Sequence, residues 1–501
     1  MSIRKLAAVA AAVMWLAWSG AASAQSWLRA ESPNFVVYGT ASEAKLREQA
    51  LLLEDLDGLL RLMTGFSGKE RGNKLRVYMV RGRGQLQIAG PRDRDVAGFY
   101  TSSPEMIAAF VDEQAQNGGN EVLFHEYAHH FMWQNAASAY PAWYIEGFAE
   151  YFSTAKFTPR HIEFGEGSRS HGYLLTQGRW LPMERVLFGS PWEFRGEDRA
   201  RFYAQSWLLT HYLLRDNERR EALRRYLTAL ARGGDVRGAL AAELGMSPAD
   251  LDKDLRDYIA RRRLTMTRIT RRSAEQPPEI SVNRLPTAAN DLLLLDAALQ
   301  IKSAESEESG GLLQSVRAAA ARHSGSSFAK RVLARAELLH GDRNRADTLL
   351  EELIAETPGD AELLYMRGMR YLMDARDADD PDPVSKKAQQ WFARAHRADP
   401  NHFQTLFRYS EALRGEENYV SENTSNILLL AHQLAPQVYI IRMNAAQMLI
   451  MRGETDAGIA LLEPLTSDTH NPGLAETARS LIARARSGGE KDGPGEADGG
   501  S

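Results

Sequence analysis

Apolar positions along the first hundred residues fall into two rhythms. "NFVVYGT" (34–40) alternates apolar with polar or small residues and reads as a strand. Over 41–63 the spacing lengthens to that of a helix, with Leu46, Leu51, Leu53, Leu56, Leu59 and Leu60 mostly on one face. "KLRVYMV" (74–80) returns to a strand. "VAGFYTS" (96–102) and "MIAAFVDEQ" (106–114) read as two more, joined by a turn containing Pro104, and "QNGGN" (116–120) is a loop. Strands mixed with a helix are the pattern of an α+β half-domain.

From 121 to about 269 the helical period dominates. Helices are expected at 121–134, 142–155, 199–215, 217–232, 235–243 and 248–262. Ser247 followed by Pro248 is a strong start signal for the last of these. "RRSAEQPPEISVNRLP" (271–286) is polar and proline-rich, and is read as a linker. Beyond it, over 287–486, the chain takes on the cadence of paired helices. Prolines 358, 400, 436 and 472 close successive units at intervals of 42, 36 and 36 residues. A tetratricopeptide repeat has a period of about 34 residues. The long interval carries the extra segment "DARDADDPDPVSK" (374–386). The expected architecture is an α+β domain over 25–270, mostly helical in its second half, followed by an all-α solenoid resembling tetratricopeptide repeats. The Gly- and acid-rich 487–501 reads as a disordered tail.

The N-terminus changes the cellular picture. Arg4 and Lys5 precede an apolar stretch from Leu6 to Trp18, and Ala22-Ser23-Ala24 fits a cleavage pattern, so 1–24 is expected to be a signal peptide. That predicts export, to a periplasm or to the medium. The apolar stretch is shorter than the ~20 residues a bilayer-spanning helix needs, and no later segment is long and apolar enough, so no membrane span is expected after cleavage. The chain has 501 residues, 44% hydrophobic and 25% charged, with a formal net charge of −4. This length bounds the chain to two or three domains, and the charge gives no reason to expect a nucleic-acid partner. With no cysteine, a metal site would have to use His, Asp and Glu.

Such a site is written in "LFHEYAHHFMW" (123–133). His125 and His129 are one helical turn apart, so both imidazoles project from one face and can bind one zinc ion. Glu126 sits beside them, where it can take a proton from a zinc-activated water. His130 points about 100° away round the helix and reads as a packing or surface residue. A second helix is expected in "YPAWYIEGFAEYF" (140–152), with Glu146 and Glu150 again at i and i+4. Glu146 would be the third zinc ligand, leaving the fourth position open. Glu150 would accept a hydrogen bond from the far nitrogen of a ligand histidine. Gly147 and Ala149 would let this helix approach the first closely.

These two segments resemble the gluzincin-type zinc metallopeptidases, which pair His-Glu-x-x-His with a glutamate on the next helix. "WYIEGFAEYF" is similar to the "W-x-x-E-G-x-A-E-Y-F" segment of M1 aminopeptidases and of bacterial peptidase-MA-like proteins. Sixteen residues separate His129 from Glu146, two fewer than in M1 enzymes, and no "G-x-M-E-N" motif lies upstream; the likeness is closer to the exported peptidase-MA-like group. It covers roughly residues 26–265 and is strongest over 121–152. It implies a zincin-like fold with Glu146 as third ligand. It also implies an oxyanion-stabilising Tyr or His on a later helix: "RFYAQSWLLTHYLL" (201–214) offers Tyr203 and His211, and Tyr203 matches best; His171 and Tyr173 are weaker candidates. In such proteins a strand ahead of the metal helix lines the cleft and pairs with substrate, which would give that role to 106–114, against the alternative of an interior strand.

The expectation is therefore an exported, zinc-dependent peptidase, with Zn2+ on His125, His129 and Glu146 and with Glu126 and Tyr203 as catalytic residues. Its repeats would bind a substrate segment or a partner protein. The alternative is a binding scaffold in which the repeats carry the function and the metal domain is structural or inactive.

Overall fold

The computed structural model describes residues 26–66, 73–91, 96–115, 119–135, 140–261, 264–271, 277–302 and 309–487. The expected signal peptide and all but Ser487 of the expected tail lie outside these residues. The described chain is mostly helical with a small mixed sheet. No described helix is long and apolar enough to cross a membrane.

Six strands form the main sheet: β1 (Leu28–Glu31), β2 (Phe35–Gly39), β3 (Leu75–Val80), β4 (Gly98–Ser102), β5 (Ile107–Asp112) and β9 (Ser281–Arg284). Their order is β4-β5-β3-β2-β1-β9. The β2–β3 and β3–β5 pairs are parallel, while β1–β2, β1–β9 and β4–β5 are antiparallel. β3 and β5 are almost continuously apolar and buried because both faces of the sheet are covered. On one face Val37, Val77 and Val111 pack with Leu46, Leu53 and Leu60 of α1 (Glu43–Thr64). On the other, Tyr38, Tyr78, Phe110 and Phe99 form a ladder of stacked rings across four strands, with centroids 4.5–4.9 Å apart.

That second face is closed by α2 (Arg83–Ala89) and by a helix from much later in the chain. Here the linker reading of 271–286 is corrected. Ser281–Arg284 is β9, hydrogen-bonded along β1. Prolines 277 and 278 dominate the local composition, but "ISVNRL" after them alternates, and Ile280 is buried in the main core. The alternatives for 106–114 are likewise decided: β5 is an interior strand, and β4 is the edge strand of the sheet.

Between the two sheet segments runs the helical part that carries the candidate site. It comprises α3 (Gly119–Asn135), α4 (Ala142–Ser153), α5 (Arg169–Gln177), α6 (Met183–Phe188), α7 (Glu197–Arg215), α8 (Asn217–Ala231), α9 (Val236–Leu244) and α10 (Pro248–Ala260). Ser247 caps α10 in a capping box with Asp250 and Pro248 in the first turn. A three-stranded antiparallel sheet, β6 (Lys156–Phe157), β7 (His161–Phe164) and β8 (Thr267–Thr270), occupies stretches between and after the helices expected in this mainly helical part.

The C-terminal part begins with α11 (Ala289–Ile301), which covers the aromatic face of the sheet, and α12 (Ser309–Ala321). Helical hairpins follow: α13 (Ser327–His340) with α14 (Arg343–Glu356), α15 (Ala361–Asp377) with α16 (Asp382–Ala398), α17 (Phe403–Ala412) with α18 (Glu422–Leu434), and α19 (Tyr439–Met451) with α20 (Thr455–Leu462), before α21 (Pro472–Arg486). The extra residues at 374–386 do not loop out. They lengthen α15 and α16 to 17 residues each. Phe403, Phe407, Leu428, Ile441 and Met448 from these hairpins belong to the same core cluster as Phe131 and Trp143 beside the candidate site.

Candidate metal centre

α3 and α4 lie side by side and supply the donor atoms. α4 is apolar nearly all round and accordingly buried along its length. It starts at Pro141, whose extended backbone ends the preceding segment, and its first amide, of Ala142, donates to Thr469 Oγ1 at 2.8 Å. Gly147 does not face α3, as its small size suggested, but α7. A Cβ there would sit 2.2 Å from Thr210 Oγ1 and 2.3 Å from the Ser206 carbonyl oxygen. The absent side chain brings α7, and with it Tyr203, against the helix that holds Glu146.

His125 Nε2 and His129 Nε2 face each other at 3.0 Å. Glu146 Oε2 lies 3.4 Å from the first and 3.5 Å from the second. Atoms bound tetrahedrally at 2.0–2.1 Å around zinc stand about 3.3 Å apart, so these residues fit that ion. Glu146 Oε2 is buried and has no hydrogen-bond partner among the described residues. A buried carboxylate oxygen without a well-aligned donor is costly unless positive charge meets it, and here that charge can come from the two imidazoles or from a metal ion. Among the described residues His125, His129 and Glu146 are the group that could hold a metal ion.

The donors also bias one another's charge. Burial pushes the Glu146 carboxyl up, but His129, His125 and His470 outweigh it and hold the group well below the usual carboxylate range. Burial disfavours charge on His125, yet Glu146 and Glu150 raise it well above the usual imidazole range. Glu150 Oε1 lies 3.3 Å from His125 Nδ1, the nitrogen facing away from the other donors, and Oε2 lies 3.5 Å from His171 Nε2. Glu150 thus spans two imidazoles, and its contact fixes which nitrogen of His125 turns toward Glu146.

Of the three donors, His125 lines a cleft of about 630 Å³ whose wall also includes Gly98, Val122, Glu126, Glu150, His171 and Tyr203. Burial raises the Glu126 carboxyl above its ordinary value, with Glu146 and Glu150 adding to the effect and the two histidines opposing it. Edge strand β4 approaches this part of α3 tightly: a Cβ at Gly98 would meet Val122 Cγ1 at 2.5 Å and the Phe110 carbonyl oxygen at 2.9 Å. Tyr203 projects from α7 with its ring 6.1 Å from that of His125. Burial first, then Glu146 and Glu150, push its hydroxyl well above the usual phenol range, so it remains an O–H donor at neutral pH.

The other candidates are placed elsewhere. His130 is buried and turned to strand β4, with Nδ1 3.1 Å from the Tyr100 hydroxyl. His211 is also buried, between the Tyr258 hydroxyl at 2.9 Å and the Thr265 carbonyl at 3.3 Å. Burial lowers it to about 4, leaving it neutral. Tyr173 is 66% exposed. One residue was missed. His470, from the turn before α21, brings Nε2 to 3.3 Å from Glu146 Oε1.

Compared with known protein families, curated proteins and solved structures, the chain matches none of them.

Proposed function

We propose that this chain is an exported, zinc-dependent peptidase. The observation that carries the reading is the convergence of His125 Nε2, His129 Nε2 and Glu146 Oε2 at 3.0–3.5 Å, with His125 lining a cleft shared with Glu126 and Tyr203. A zinc ion held there would acidify a water molecule and polarise a peptide carbonyl. Glu126 takes the proton from the attacking water and passes it to the leaving amine. Its raised affinity for a proton, caused chiefly by burial, suits a group that must accept one and release it again. The Tyr203 hydroxyl donates to the oxygen of the scissile carbonyl as negative charge builds on it. β4 lies at the sheet edge beside Glu126, so an extended peptide would add to it as a further strand. In the alternative scaffold reading the helical hairpins carry the function, but several of their apolar side chains are already packed into the core around the site.

The test is the zinc content of the purified mature chain beside His125→Ala and Glu126→Gln. Wild type should hold about one zinc per chain and hydrolyse peptides, His125→Ala should hold none, and Glu126→Gln should keep its zinc. The last should lose activity by roughly 10²–10⁴-fold, the usual contribution of a general acid–base group. A wild-type chain that takes up no zinc at neutral pH would refute the proposal.

A further inference from the structure

The turn Asp468–Asn471 belongs to the C-terminal helical part, yet it reaches the centre of the candidate site. Three contacts hold it there. Thr469 Oγ1 accepts the first amide of α4, from Ala142, at 2.8 Å. Trp192 Nε1 donates to the His470 carbonyl at 2.9 Å. Just before the turn, Ser467 Oγ donates to the Gly234 carbonyl at 2.9 Å. The turn is also fixed internally: Asn471 N donates to Asp468 Oδ1 at 2.8 Å, and Asn471 Oδ1 caps α21 by accepting from Leu474 N at 3.1 Å. The His470 ring is boxed by Trp133, Trp192 and His129, at centroid distances of 5.7, 5.6 and 6.4 Å.

Glu146 is thereby engaged from two sides. Oε2 turns to His125 and His129. Oε1 lies against His470 Nε2 at 3.3 Å. A carboxylate with one oxygen held by a ring nitrogen is restrained to bind a metal through the other oxygen alone, in one orientation. We propose that His470 is a positioning residue of the metal centre, so that the C-terminal helical part completes the site rather than standing beside it as a separate binding module. The proposal rests on the zinc reading above.

The experiment uses the full chain and measures zinc affinity by competition with a chromophoric chelator, for wild type, His470→Ala and His470→Gln. His470→Ala should bind zinc about 10- to 100-fold more weakly, the usual effect of removing a partner that orients a metal ligand. Gln can place its amide nitrogen where Nε2 stands, so His470→Gln should recover most of that loss. The visible spectrum of the Co2+-loaded chain should change in His470→Ala, where Glu146 is free to reorient, and return toward wild type in His470→Gln. If His470→Ala does not fold, Thr469→Val replaces it: the change removes the contact that seats the turn on α4 without touching Glu146 and should weaken zinc binding, and wild-type affinity in that variant would overturn the proposal. Wild-type affinity and an unchanged Co2+ spectrum in His470→Ala would overturn this proposal and leave the zinc reading standing. A wild-type chain that binds no zinc would overturn both.

Discussion

At the scale of single residues, the site separates groups that hold charge from groups that hand over protons. Glu146 is held low by His129, His125 and His470 despite its burial, and a carboxyl that ionises this readily suits a ligand. Glu126 is shifted the other way, chiefly by burial, which suits a proton carrier. Tyr203 is shifted so far by burial and by Glu146 and Glu150 that it cannot serve as a base at neutral pH. It can only donate. Tyr203→Phe tests that assignment because it removes one oxygen and keeps the ring. In an oxyanion-stabilising role the substitution lowers kcat by about 10²–10³-fold, leaves zinc content unchanged and barely moves KM. If Tyr203 is merely a packing residue, kcat stays within a few-fold of wild type in the same assay.

At the scale of elements, the separation between α4 and α7 sets where Tyr203 stands relative to Glu146, and Gly147 sets that separation. The obstacle to a larger residue includes the Ser206 backbone carbonyl, which cannot rotate away as a side-chain tip would. Gly147→Ala should therefore destabilise the chain by about 1–3 kcal/mol, the usual cost of overfilling a packed contact. Urea unfolding would show this as a lower midpoint with the slope unchanged. An unaltered midpoint would mean that the helices part without cost. The sequence carried the helices of the site plainly, because His125, His129, Glu146 and Glu150 stand at the i, i+4 interval that only a helix turns into a single face. It carried β2, β3 and β5 because runs such as "RVYMV" have few polar interruptions. β1, β9 and the β6–β8 sheet escaped because two to four residues are too few to establish a period. The direction of Gly147 escaped because a small residue announces a close approach but not the partner. His470 escaped for another reason: its turn meets α4 across 327 residues of chain, and no local pattern encodes such a meeting.

At the scale of the whole molecule, a partly buried charge network ties the sheet to the helical hairpins. Glu105, between β4 and β5, accepts from Tyr365 at 2.9 Å and pairs with Arg408. Arg335 joins Asp296 of α11 to Glu362 of α15, and His402 Nε2 closes on Glu362 at 3.1 Å. Burial alone would raise the Glu362 carboxyl, but Arg335 and His402 overcome it and hold the group below the usual carboxylate range. A carboxyl held low in the folded chain contributes stability above its unfolded value of about 4.3 and loses it as pH falls toward the folded value. Arg335→Met is the informative change, because it keeps the volume and strands the two carboxylates. Breaking a fully buried pair from one side costs about 3–5 kcal/mol; Glu362 and Asp296 are partly exposed, so the variant should lose less than that, but still unfold at lower urea at pH 7. The deficit should shrink as pH falls below about 4, since protonated Glu362 no longer needs a cation. A deficit that stays constant from pH 7 to pH 3 would assign the loss to packing around the arginine stem instead. With the network at one end and the His470 turn at the other, the sheet and the hairpins should unfold together, and Arg335→Met should lower that single transition without splitting it. Two separated transitions in the variant would show that the hairpins can fold without the sheet.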